Sequence, residues 1–136
     1  MLMIPRGIRN NNPGNIRVSN AKWQGKLAIE DNTDGVFEQF ETMEQGIRAL
    51  FVLLRTYITK KGLNTVRKII TTYAPSNEND TKAYIKNVCR ITGFEENEKL
   101  LFNDTFMVPL VEAIAFHECG GSYITEEQVI RAWEMV

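Results

Sequence analysis

The sequence predicts an α+β domain that is mostly α-helical, with one small β-hairpin near its N-terminus. Three observations carry that prediction. Apolar residues recur at helical spacing from Ile47 onward. Two Thr-x-x-Gln capping boxes, Thr42 to Gln45 and Thr125 to Gln128, mark helix starts. Ahead of the first box, two short alternating stretches flank a linker that ends in the turn dipeptide Asp34-Gly35.

Taken in order, the chain opens with Arg6-Gly7-Ile8-Arg9-Asn10-Asn11-Asn12-Pro13-Gly14-Asn15-Ile16-Arg17. Asparagine and glycine tolerate left-handed backbone, and Pro13 pushes Asn12 towards an extended conformation. The segment therefore reads as a shaped loop rich in amides. It suits either a hydroxyl- and acetamido-bearing ligand or a hydrogen-bonded turn that pins the N-terminus. The hairpin follows, with Lys26 to Glu30 and Val36 to Phe40 as strands around Asp31-Asn32-Thr33-Asp34-Gly35.

The remainder predicts about five helices. The first starts at Thr42, presents Ile47, Leu50, Phe51, Leu54, Tyr57 and Ile58 on one face, and closes at Gly62. A shorter one opens at Asn64 or Thr65 and stops at Ala74-Pro75. Asn79-Asp80-Thr81 caps a third, which ends at Gly93. A fourth carries Met107, Leu110, Val111, Ile114 and Ala115 towards Gly120-Gly121. Its Pro109 fits best if regular helix begins near Val108, so that proline falls in the first turn. The second capping box opens the last helix, with Ile124 and Val129 at hydrophobic-staple spacing.

At 136 residues and 15.6 kDa, with no repeat or linker, the chain reads as one domain, 1–136. A net charge of -1 argues against a general nucleic-acid binder. No apolar run approaches the ~20 residues of a membrane span, and the first residues lack the core of a signal peptide. The expectation is a protein made in the host cytoplasm without a signal peptide and delivered elsewhere by other means. Cys89 and Cys119 read as buried free thiols, and no cofactor or metal is expected.

With a single histidine and no P-loop, dinucleotide fingerprint or nucleophile elbow, carboxylates are the remaining catalytic candidates. Glu78 stands out in the bridge Tyr73-Ala74-Pro75-Ser76-Asn77-Glu78-Asn79-Asp80-Thr81, beside an aromatic ring and several amides. There it is either a general acid half-buried against apolar groups or a surface residue neutralising a helix start. Asp31, Asp34 and Glu44 are lesser candidates. Trp23, Tyr57, Tyr73 and Tyr84 offer rings for sugar faces, although Tyr57 and Tyr84 fall on apolar helical stripes and read as core.

The asparagine string is similar to the opening of small phage and prophage proteins usually described as virion structural proteins. Further matches are Trp23-x-Gly25, Phe37-x-x-Phe40, Gly46-Ile47-Arg48-Ala49-Leu50 and Tyr73-Ala74-Pro75-x-x-Glu78-Asn79-Asp80-Thr81-x-x-Tyr84, covering roughly residues 6 to 93. More faintly, Tyr73-Ala74-Pro75 followed by Thr81-x-x-Tyr84-x-x-x-Val88 resembles an element of lytic transglycosylases of the lysozyme superfamily. Those enzymes carry a catalytic Glu-Ser before an Asn-Pro-like stretch, where this chain has Ile8 and Arg9.

The resemblance implies a lysozyme-like domain that cleaves the β-1,4 bond between N-acetylmuramic acid and N-acetylglucosamine in peptidoglycan. Glu78 would protonate the glycosidic oxygen; one carboxyl suffices if the muramic hydroxyl attacks internally, while hydrolysis would add Asp34 as the second, with Asn10, Asn11, Asn12, Asn15, Trp23, Tyr73 and Asn79 binding the glycan strand. The competing expectation is a non-catalytic virion or tail component that binds cell-wall glycan or another virion protein. A third, a secreted antibacterial effector, differs only in delivery.

Overall fold

Five short polar side chains set the helical framework. Thr42, Thr65, Asp80, Asn103 and Thr125 each precede a helix and accept a hydrogen bond from a backbone N–H of its first turn. The helices they open are Met43–Lys60, Val66–Tyr73, Thr81–Thr92, Asp104–Cys119 and Glu126–Glu134. A single helical turn at Arg6–Arg9 precedes them. These are α1 (Arg6–Arg9) through α6 (Glu126–Glu134) in chain order. The computed structural model describes residues 3–136.

Both predicted capping boxes form: Thr42 and Thr125 accept from Gln45 and Gln128 N–H, and each glutamine returns its side-chain oxygen to the cap N–H. Gly93 and Gly120 stop α4 and α5 in the left-handed conformation. One start differs from expectation. α5 begins at Asp104, not near Val108, because Asn103 caps it by accepting from the Phe106 N–H at 3.0 Å. Pro109 therefore lies inside the helix and leaves one carbonyl of its first turn without an N–H donor from position 109.

α5 is the central element. It packs against α4, α6, α2 and the single turn of α1. Met107, Leu110, Val111 and Ile114 are fully buried, beside Ile47, Leu50, Phe51 and Leu54 of α2 and Val129 of α6. Trp133 of α6 closes one end, with Phe51 edge-on at 5.1 Å and Phe102 tilted at 5.2 Å. No described helix is long and apolar enough to cross a membrane.

The α+β class and its hairpin are not found. Among the described residues there is no strand, only two isolated antiparallel bridges, Arg17 opposite Phe37 and Lys26 opposite Phe40. The two predicted arms, Lys26 to Glu30 and Val36 to Phe40, do meet at Lys26 and Phe40. The first arm then coils into a 3-10 turn at Ile29–Asp31 and leaves the pairing.

Side chains of the linker explain the diversion. Asn32 Oδ1 accepts from the Asp34 and Gly35 N–H groups, and Asp34 Oδ1 accepts from those of Val36 and Phe37. Such aspartate and asparagine turns compete with ladder bonds for the same backbone donors. The second arm instead borrows partners from the asparagine loop: Glu38 N–H donates to Ile16 O at 2.9 Å, and Phe40 N–H to Asn10 O at 3.0 Å.

The loop is correspondingly an internal brace. Asn11 and Asn15 take positive φ of 51° and 52°, as its composition suggests. Asn12 is fully buried; its amide donates to Ile16 O and Glu38 O, and its Oδ1 accepts from the Ile16 N–H. Asn12→Ala strands all three backbone groups, so it should destabilise the protein by about 3 kcal/mol. Urea unfolding checks this, and a variant as stable as wild type would show that the amide is dispensable.

Candidate active site

The loop, α2, the end of α3 with the turn that follows it, and the end of α5 line a cleft of about 240 Å3. Gly14, Asn15, Ile16 and Arg17 form one wall, Leu53 and Tyr57 of α2 and Tyr73 of α3 another, and Glu78 and Asn79 lie at the α3–α4 turn. Glu118, on the last turn of α5, also lines it.

Glu118 is half-buried, and both of its oxygens are held. Asn15 Nδ2 donates to Oε1 at 2.9 Å, and the Tyr84 hydroxyl donates to Oε2 at 2.8 Å. The Tyr84 ring is stacked on His117 at 3.7 Å, and His117 Nδ1 lies 3.1 Å from the Asn87 amide. Burial lowers the affinity of His117 for a proton, with the adjacent Glu118 opposing. Burial first, and the Glu118 charge second, push the Tyr73 and Tyr84 phenols well above 10, so both are protonated donors at neutral pH. The same two causes push the Cys119 thiol up to about 11, which leaves it inert.

The loop is cut to fit this arrangement. A Cβ on Gly14 would stand 2.8 Å from the Tyr73 hydroxyl and 3.1 Å from Leu50, so only glycine lets the chain pass. The Tyr73 hydroxyl donates to Gly14 O, and the Cys119 Sγ lies 3.5 Å from Pro13 O. Asn15 is thereby aimed at a carboxylate more than a hundred residues away.

The expected site residues separate into two groups. Asn15, Tyr73, Glu78 and Asn79 meet at the cleft. Glu78 is exposed on its rim, 3.3 Å from the Arg17 guanidinium, and the Asn79 amide donates to Pro75 O. Asn10, Asn11, Asn12, Asp34 and Trp23 do not line it. Asn10 bridges Gln39 and Asp34, Asn11 donates to Phe40 O, and Trp23 packs against the core with its buried indole N–H unpartnered.

Asp34 is a clasp. Arg6 grips both of its oxygens at 2.7 and 2.8 Å while lying over the Phe37 ring. Hydrogen bonds from Arg6, reinforced by the Phe37 N–H, the Asn10 amide and the Val36 N–H against an opposing effect of burial, hold the carboxyl far below 3.8. The folded protein therefore keeps Asp34 ionised where the unfolded chain takes up a proton. Its stabilisation is complete well above pH 4 and declines as pH falls through 3.8 and below. Asp34→Asn should lower stability at neutral pH and flatten this acid dependence, as thermal unfolding across pH 2.5–7 would show. Parallel curves for the two proteins would contradict the clasp.

Glu118 was not among the expected catalytic residues, and Tyr84 was read as core in preference to a ring for sugar faces. The signal for Glu118 is the α5 stripe itself, since Val111 and Ala115 continue one turn on into Glu118. A carboxylate on a buried helical stripe is uncommon unless it is partnered.

No protein-family model matches the chain. Among curated proteins, Protein P5 of Pseudoalteromonas phage PM2 is 39% identical over 132 residues, which span 95% of this chain and 80% of the relative. The chain belongs to the family of phage Protein P5. The expected phage affiliation is thereby shown. The lysozyme kinship suggested by Tyr73 to Val88 does not follow from this relative. In this P5-family chain, Glu118, Asn15 and Tyr84 all fall within a match that spans almost the whole sequence.

Proposed function

We propose that this P5-family protein is a peptidoglycan-cleaving glycosidase whose proton-transferring group is Glu118. The observation that carries the reading is a half-buried carboxyl at a cleft, fixed through both oxygens by Asn15 and Tyr84. A carboxyl so held has one orientation towards a ligand, as proton transfer to a glycosidic oxygen demands.

In the protonated state Glu118 delivers its proton to the oxygen that leaves as the glycosidic bond breaks. The resulting carboxylate then accepts a proton from the attacking hydroxyl. If that hydroxyl belongs to the muramic sugar, one carboxyl suffices and an anhydro end results. If it belongs to water, a second carboxylate normally activates it. Glu78 is the only other carboxylate lining this cleft among the described residues. Asn15 and Asn79 supply amides for acetamido sugars, and Tyr57 and Tyr73 supply ring surface.

A second reading is a virion component that binds cell-wall glycan or another virion protein without cleaving it. Its support is the phage family together with exposed Ile91, Phe116 and Tyr123, which line one shallow apolar hollow beside α5. Under either reading the protein acts in the virion or at the cell wall.

Incubating the purified protein with peptidoglycan and analysing the products by mass spectrometry tests the proposal. Anhydro ends identify a transglycosylase, and reducing ends a hydrolase. No release between pH 4 and 8, with the protein sedimenting on the glycan, would replace the enzyme by the binding component.

A further inference from the structure

A second cleft, of about 810 Å3, opens on the other side of the α3–α4 turn. Lys82 and Lys86 of α4 and Arg67 of α3 line it, facing Glu95 and Glu96 in the segment after α4 across apolar surface from Ile85 and Phe94. Arg67 is engaged with Glu96 at 3.4 Å. Lys82 and Lys86 stand one turn apart on the same helical face, and neither has a carboxylate partner among the described residues. Like charges at this spacing repel, so their pairing suits an anion from outside.

The two clefts share a wall. Ser76 lines the larger and Glu78 the smaller, so about 7 Å of chain at most separates them. The Thr81 hydroxyl donates to Ala74 O at 2.5 Å and ties the base of this turn shut. A glycan held at Glu118 carries peptide stems that leave the sugar chain sideways. A four-residue stem reaches about 13 Å when extended, enough to cross the turn.

We infer that the Lys82–Lys86 cleft binds the peptide stem of peptidoglycan, lysines taking its carboxylates, Glu95 an ammonium, and Ile85 with Phe94 its alanyl methyls. The mixed charge of the walls matches a zwitterionic peptide better than a simple polyanion, which Glu95 and Glu96 would repel. This inference rests on the peptidoglycan reading and supplies the part of the substrate that the Glu118 cleft does not hold.

The test uses a synthetic stem peptide of L-Ala, γ-linked D-Glu, a diamino acid and D-Ala, with no sugar attached. Titrating it to millimolar concentration into 15N-labelled protein should shift amides of Thr81–Cys89 and Phe94–Glu96 and spare those around Glu118. Lys82→Glu/Lys86→Glu should weaken the affinity at least about tenfold, whereas Lys82→Arg/Lys86→Arg should preserve it, because the charge is kept. Both lysines are exposed, and the dispersion of the same spectra verifies folding. Absence of shifts in wild type, or equal shifts in the glutamate variant, overturns the inference. The peptide has no glycosidic bond, so this outcome is independent of whether the glycan is cleaved.

Discussion

Glu118→Gln should lower muropeptide release by about 100- to 10,000-fold while leaving the fold intact, the range expected for loss of a positioned proton-transfer group. The substitution keeps the side-chain volume, and its amide carbonyl still accepts from Asn15 or from Tyr84. The ionisable proton and one acceptor disappear, and the Tyr84 hydroxyl can turn to accept from the new amide. Unchanged thermal unfolding with lost activity is therefore the expected pair of results, and wild-type turnover in the variant would remove Glu118 from the reaction. Glu78→Gln separates the two chemistries. It should spare formation of anhydro ends, for which one carboxyl is enough, and suppress hydrolysis, for which a second is needed. Because Glu78 is exposed and its pair with Arg17 is long at 3.3 Å, the change carries little structural cost of its own.

Gly46→Ala should be the most damaging small substitution in the chain. Gly46 lies in the first turns of α2, where a Cβ would come within 1.7 Å of Asn11 O and 2.8 Å of its carbonyl carbon. Both are backbone atoms, so no rotamer relieves the clash, and the asparagine loop has to move by more than an ångström. Moving it breaks the buried bonds of Asn12 and withdraws Asn15 from Glu118. A loss of about 3 kcal/mol, at the upper end for overpacking, corresponds to a fall in Tm of about 10 °C. Calorimetry measures it directly. A variant melting with wild type would mean that the loop is loosely held, contrary to its hydrogen bonding.

The helices were legible because their signals are local. A threonine followed three residues later by glutamine, or an aspartate such as Asp80 just ahead of an apolar stripe, acts within one turn and needs nothing from the rest of the chain. The hairpin was misread for the opposite reason. Residues 36–40 do alternate, but their partners at 10 and 16–18 come from a loop whose pairing no local pattern announces. The site was half legible. Tyr73, Glu78, Asn79 and Asn15, candidates from the sequence, line one cleft, whereas Asn10, Asn11, Asn12 and Asp34 serve as internal bracing. Amides that suit a sugar suit a backbone carbonyl equally well. Glu118 escaped because a lone acidic residue near a helix end reads as surface until the third dimension supplies Asn15 and Tyr84.

The bond between Asn15 and Glu118 joins positions 103 residues apart, and that between Tyr84 and Glu118 spans a further 34. Contacts so distant in sequence close late and slow the search for the native state. During synthesis the N-terminal loop leaves the ribosome long before its partner carboxylate exists, so a nascent or truncated chain ending before α5 carries no assembled centre. Under the proposed reading, cleavage therefore requires a chain complete through its fifth helix.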